Sequence, residues 1–232
     1  MVSGFSLERD HMIDIENYVL QLIELLKKQF GERLLYVGLQ GSYLRGEANQ
    51  NSDIDIMVVV DGLSVSDLDS YRRIISSMDH SEKSCGFICS KDDLINWNPL
   101  EICNLLHSTK DYFGVLREFV PVYTEGDIRN FVKISVNNLY HELCHRYIHA
   151  NLDRNYSQLP ATYKGVFFIL QNLYFLKYNE FIGTKAGLMM QLRGKDREVL
   201  KHAIELDNAT EYAFNESFEL LFSWCQETLH SL

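Results

Sequence analysis

Apolar residues recur at steps of three and four between Ile13 and Phe30, at Ile15, Val19, Leu22, Ile23 and Leu26. That spacing predicts a helix with one buried face. Gly31 ends it, as a glycine does where a helix releases the chain. Leu34 to Leu39 is a short apolar run that predicts a strand, and Gly41-Ser42 follows it. A second strand is predicted from Asp53 to Val60, with Ile-Met-Val-Val-Val at its end and the turn Asp61-Gly62 beyond. Ser66 to Met78 predicts a helix, Ser84 to Ser90 a third strand, and Lys91 to Asn96 a short helix. Alternating helices and strands of this kind predict a small α/β sheet domain.

The pattern changes near Pro121. From Gly126 onward it is helical: Asp127 to Ala150, Ala161 to Phe181, Lys195 to Leu206 and Glu211 to Leu229. Asn155 and Pro160, Gly183 and Gly194, and Asp207-Asn208 separate these runs. Four helices joined by short loops predict a bundle. The fold class expected is therefore α+β: a small mixed-sheet domain over residues 1–120, then a four-helix-bundle-like domain over 121–232.

Composition narrows the function. The 232 residues carry 22 Lys+Arg against 32 Asp+Glu, a formal charge of −10. Holding a long nucleic-acid backbone by charge needs the opposite surplus, so no long nucleic acid is expected as a partner. No stretch is long and apolar enough for a transmembrane helix, and Met1 to Asp10 lacks the layout of a signal peptide. The five cysteines, an odd and scattered set, fit reduced thiols in a cytoplasm. Cys85 and Cys89 read as core thiols of the third strand.

The segment richest in chemistry is Gly41 to Val60, G-S-Y-L-R-G-E-A-N-Q-N-S-D-I-D-I-M-V-V-V. A glycine after a strand permits backbone geometry that other residues resist. The N–H groups of a Gly-Ser turn at a helix start suit a phosphate, and the Ser42 hydroxyl adds a donor. Asp53 and Asp55 share one face of a strand, roughly 7 Å apart along it. Ile54, Ile56 and Val58 take the other face, toward the core. Two like charges at the root of an apolar strand call for a cation, and carboxylate and phosphate oxygens together suit Mg²⁺.

A strand, Gly-Ser, a turn, then Asp-x-Asp on the next strand resembles the nucleotidyltransferase superfamily that includes DNA polymerase beta. The fuller string G-S-x-x-R-G-x-A-x-x-x-S-D-I-D-I is similar to its small bacterial members. These are the antibiotic nucleotidyltransferases and the minimal nucleotidyltransferases of toxin–antitoxin pairs. Gly41, Ser42, Arg45, Gly46, Ser52, Asp53 and Asp55 all stand at the family spacing. The resemblance makes residues 1–120 a nucleotidyltransferase domain. It implies that Gly41 and Ser42 hold the tail of ATP or another nucleoside triphosphate, with Ser52 part of the same motif, and that Asp53 and Asp55 hold Mg²⁺. Arg45 pairs with phosphate or braces the turn, and the residues alone do not choose. The activity implied is transfer of AMP from ATP to the hydroxyl of a small molecule such as an aminoglycoside or lincosamide. The alternative implied is a regulatory module with a protein partner.

Family enzymes place a third acid on the next strand. Here Ser81 to Ser90 has no central carboxylate, and Glu82 at its start is the candidate, set against an exposed strand-entrance charge. Asp92 and Asp93 read as helix-capping residues. The run Phe181 to Leu192 resembles a Gly–Ser/Thr–Lys turn of aminoglycoside adenylyltransferases, which makes Lys185 a candidate phosphate contact, against a solvated lysine. His141, His145 and His149 recur every four residues on one helix flank, either a metal or cleft lining or a plain polar face, and Glu142 beside them is a second candidate base. Phe167, Phe168, Tyr174, Phe175, Tyr178 and Phe181 form a stripe assigned in part to the bundle core.

Overall fold

A computed structural model describes residues 13–207 and 209–232. The first twelve residues of the predicted domain 1–120, among them the Met1 to Asp10 segment read for a signal peptide, lie outside the described residues, as does Asn208 of the Asp207-Asn208 break. The chain divides into two compact units, one running to Asn96 with Ser108–Val120, the other formed by Trp97–His107 and Pro121–Leu232.

The first unit begins with helix α1, Ile15–Phe30. The Asp14 side chain accepts from the Asn17 amide at 3.1 Å and so caps it. Its predicted face is the buried one: Val19, Leu22 and Leu26 have no solvent exposure. Strand β1, Leu34–Leu39, leads into a five-residue helix α2, Gly41–Arg45, and on to strand β2, Ile54–Val60. Helix α3 spans Val65–Ser76, strand β3 Ser84–Ser90 and helix α4 Lys91–Ile95. A fourth strand, β4 at Lys110–Phe113, was not among the predicted elements.

The sheet order is β3-β2-β1-β4. β1 runs antiparallel to β2 and to β4, and β3 runs parallel to β2 in continuous register from Ile54/Ser84 to Val60/Ser90. The expected mixed sheet is thus present. β1 and β2 are central and buried, and pack with α1 in one core. Gly86 lets β3 close on its neighbour: at φ +104° it lies so near Ile56 that any β-carbon would collide with the Ile56 backbone. Asp93 caps α4 reciprocally with Ser90, as the sequence indicates.

The second unit contains helix α5 at Pro99–His107, also missing from the predicted elements, and a longer series. α6 is Glu125–His149, α7 Leu152–Tyr163, α8 Val166–Tyr178, α9 Lys185–Gln191, α10 Gly194–Leu206 and α11 Phe214–Ser231. Val132, Val136, Leu143, Leu159, Tyr163, Leu170, Leu200, Leu221 and Trp224 fill its core. The helical character is as predicted, but α9 lies between Gly183 and Gly194, a segment read as a break, and two further boundaries differ. Asn155 and Pro160, read as breakers, lie inside α7. Proline removes the amide that would bond the carbonyl four residues back. Here that Tyr156 carbonyl accepts from the Tyr212 hydroxyl instead, and the two rings stack at 4.4 Å. The predicted helix Ala161–Phe181 is divided at Gly165 and ends at Asn179, whose left-handed conformation (φ 52°) closes α8.

Candidate functional site

The site forms where β1 ends and β2 begins. The Gln40 amide donates to the Asp55 carbonyl at 2.8 Å, which ties the start of α2 to the acid-bearing end of β2. Gly41 has φ +70°, and a β-carbon there would overlap the Asp55 carboxylate. Glycine is therefore required twice over, by backbone conformation and by the close approach of the acid. Two of the residues singled out in the motif are in this way brought together.

Asp53 is exposed and Asp55 half-buried. Burial, followed by the neighbouring Asp53 charge, raises the Asp55 carboxyl above its usual range, while the Cys85 side chain and the charge of Arg45 pull it back. The remainder of β2, Met57 to Val60, has no exposure at all. The acid pair thus stands at the polar end of a strand anchored by its apolar end.

Arg45 lies in α2, and its Nε donates to Glu47 at 2.9 Å. This contact braces the turn, while the charge also reaches Asp55. Ser52 sits in the connecting loop: its hydroxyl accepts from the Asn49 amide at 2.8 Å, and the Lys83 ammonium caps the Gln50 carbonyl of the same loop. Glu82 is exposed in a single turn, Ser81–Lys83, ahead of β3. Among the described residues, no three His, Cys, Asp or Glu side chains gather in a group able to hold a metal ion.

Cys85 departs from expectation. Cys89 is buried in the core as predicted, but Cys85 is exposed and stands directly opposite Asp55 across the β2–β3 pairing. The sequence signal for this was Gly86, which breaks the apolar run just after the thiol.

In the second unit Lys185 begins α9 behind the Thr184 cap and pairs with Asp207 at 2.8 Å. His141, His145 and His149 are exposed on α6 with ring centroids 6.0 and 4.9 Å apart in sequence order. Glu142 pairs with Arg146 at 3.3 Å beside a cavity of about 780 Å³, lined also by Asn104, Asn138, Thr162 and Phe168. Of the aromatic stripe, Phe167 and Tyr174 are core, whereas Phe168 and Tyr178 are exposed.

The site thus joins an antiparallel β1–β2 pair, the Gly41-Ser42 turn at the start of α2, and two acids at the entrance of β2, Asp53 just ahead of the strand and Asp55 within it. Residues 19–102 match the family model described as nucleotidyltransferase domain. Among solved structures the chain is similar to spectinomycin adenyltransferase AAD(9) from Enterococcus faecialis, crystallised with ATP and spectinomycin. The match has 14% identity and a TM-score of 0.58, and covers 93% of this chain and 99% of that one. A toxin-antitoxin structure with AMP-PNP matches at 21% identity and a TM-score of 0.33, over 59% of this chain and 94% of that one. Comparison with curated protein sequences finds no significant match. The expected α+β nucleotidyltransferase architecture, a mixed sheet followed by a helical region, is shared with the adenyltransferase.

Proposed function

We propose that this chain transfers a nucleoside monophosphate, AMP from ATP, to a hydroxyl of a small-molecule acceptor of the aminoglycoside or lincosamide class. The observation that supports the proposal is the packing of Gly41 against the Asp55 carboxylate, with the Gly41-Ser42 turn beside one of the two acids. The donor set fits Mg²⁺: one partly desolvated carboxylate and one exposed carboxylate repel each other, and a hard divalent ion relieves both. When bound, Mg²⁺ would neutralise phosphate charge and acidify the acceptor hydroxyl.

The residues of the chain supply the rest. Asp53 and Asp55 would hold the ion. The Gly41-Ser42 turn binds and orients the triphosphate through N–H groups and the Ser42 hydroxyl. Arg45 offers positive charge close to the acid pair, and its bond to Glu47 keeps it in place. Ser52 steadies the loop that delivers Asp53 to the strand. The acceptor oxygen attacks the α-phosphorus, the bond to the β-phosphate breaks, and pyrophosphate leaves. The hydroxyl proton passes to a nearby acid, for which Glu82 is the candidate in the first unit. The acidic chain also favours encounter with cationic acceptors.

Incubation with labelled ATP, Mg²⁺ and a panel of aminoglycosides and lincosamides tests this. Release of pyrophosphate with a label-bearing acceptor is expected. ATP left intact with every acceptor, and no Mg²⁺-dependent binding of ATP, would refute it.

A further inference from the structure

β3 meets β2 at a point fixed from three sides. The Tyr18 hydroxyl of α1 bonds the Ser84 hydroxyl, the Lys83 ammonium holds the Gln50 carbonyl, and Gly86 is drawn against the Ile56 backbone. Cys85 lies between these anchors. It stands in register with Asp55, is open to solvent, and forms no disulfide.

Resting on the nucleotidyltransferase reading above, we propose that Cys85 is a positioning residue: its thiol donates a hydrogen bond to the Asp55 carboxylate and fixes the direction in which that carboxylate meets the nucleotide's cation. Asp55 has Gly41 on one side and Cys85 opposite it on the neighbouring strand. Gly41 has no side chain with which to orient a carboxylate. The glycine supplies the space, and the thiol supplies a directional donor. A thiol is a weak donor in general, but a carboxylate acceptor strengthens its bond. The rigid seating of Ser84 and Gly86 means that the donor does not have to be ordered when the nucleotide binds. A serine would keep this function, and an alanine would remove it without changing the strand.

Two measurements on the intact protein decide the matter. The infrared S–H band of Cys85, isolated among the five cysteines by subtracting the Cys85→Ala spectrum, should lie below the frequency of a free thiol. It should rise toward that frequency in Asp55→Ala. In the transfer assay Cys85→Ala should lower kcat about five-fold with the KM for acceptor unchanged, and Cys85→Ser should restore it. Thermal melts of all three variants identify any that fail to fold; if Cys85→Ala does, the Cys85→Ser spectrum is subtracted in its place and the wild-type band position stands as the test. A wild-type band at the free-thiol frequency, a band indifferent to a folded Asp55→Ala, or a Cys85→Ala enzyme as fast as wild type would overturn the proposal. If the wild-type protein modifies no acceptor, the functional reading falls while the infrared band still decides whether Cys85 holds Asp55.

Discussion

The two ends of β2 are built from one strand but solve opposite problems. From Met57 to Val60 every residue is fully buried, clasped between β1 and β3. From Asp53 to Asp55 the strand emerges, and one of its two acids is left half-desolvated beside another negative charge. Left to itself, the polar end costs free energy, because a partly buried carboxylate next to a like charge is poorly solvated. The apolar end offsets that cost by fixing the strand. A site of this kind is placed by residues that take no part in its chemistry.

Substitutions at the two ends should therefore separate activity from stability. The largest effect is expected at the polar end: Asp53→Asn and Asp55→Asn should each lower transfer by about a hundred-fold or more while leaving the melting temperature near or above that of wild type. Pyrophosphate release and a thermal melt on the same sample check both halves. Gly41→Ala comes next. The added methyl meets the Asp55 carboxylate at a backbone angle alanine resists, so affinity for ATP and stability should both fall, the latter by about 1–2 kcal/mol. At the apolar end, Val58→Ala should cost about 2 kcal/mol in denaturant unfolding, with kcat per folded molecule unchanged. A Val58 variant that lost activity but not stability would erase the distinction between the ends.

The smallest effect concerns pH. Asp67 accepts from Arg33 at 2.9 Å and from the Ser64 cap, and these bonds hold its carboxyl well below the usual range, the Arg33 bond first. A carboxylate with a lowered folded-state pKa stabilises the fold above its unfolded pKa, about 4. That contribution is lost as pH falls through the folded value. Melting temperatures of wild type should thus decline below about pH 4 more steeply than those of Asp67→Asn. Parallel curves would remove Asp67 from the account.

Much of this arrangement is legible in the sequence. β1, β2 and β3 follow short apolar runs closed by Gly, Ser or Asp, and their observed limits lie within a residue of the predicted ones. Gly41 and Asp55 stand out as a motif, although their mutual contact is a matter of packing that spacing does not express. Other features depend on tertiary partners. β4 is four residues, begins Lys-Asp, and forms an edge of the sheet, so it has no apolar pattern to display. α7 keeps a proline because Tyr212, more than fifty residues away, takes the carbonyl it frees. Cys85 resembles a core thiol in the run S-C-G-F-I-C-S. Only the register of β3 on β2, with β3 at the sheet edge, turns it outward beside Asp55.

The central claim is that Asp53 and Asp55 together hold a cation that the nucleotide also touches. Calorimetric titration with ATP, with and without Mg²⁺, tests it most directly. Wild type should bind ATP more tightly when Mg²⁺ is present, and that gain should disappear in Asp53→Asn and in Asp55→Asn while binding without Mg²⁺ persists. An equal gain from Mg²⁺ in wild type and in both variants would contradict it.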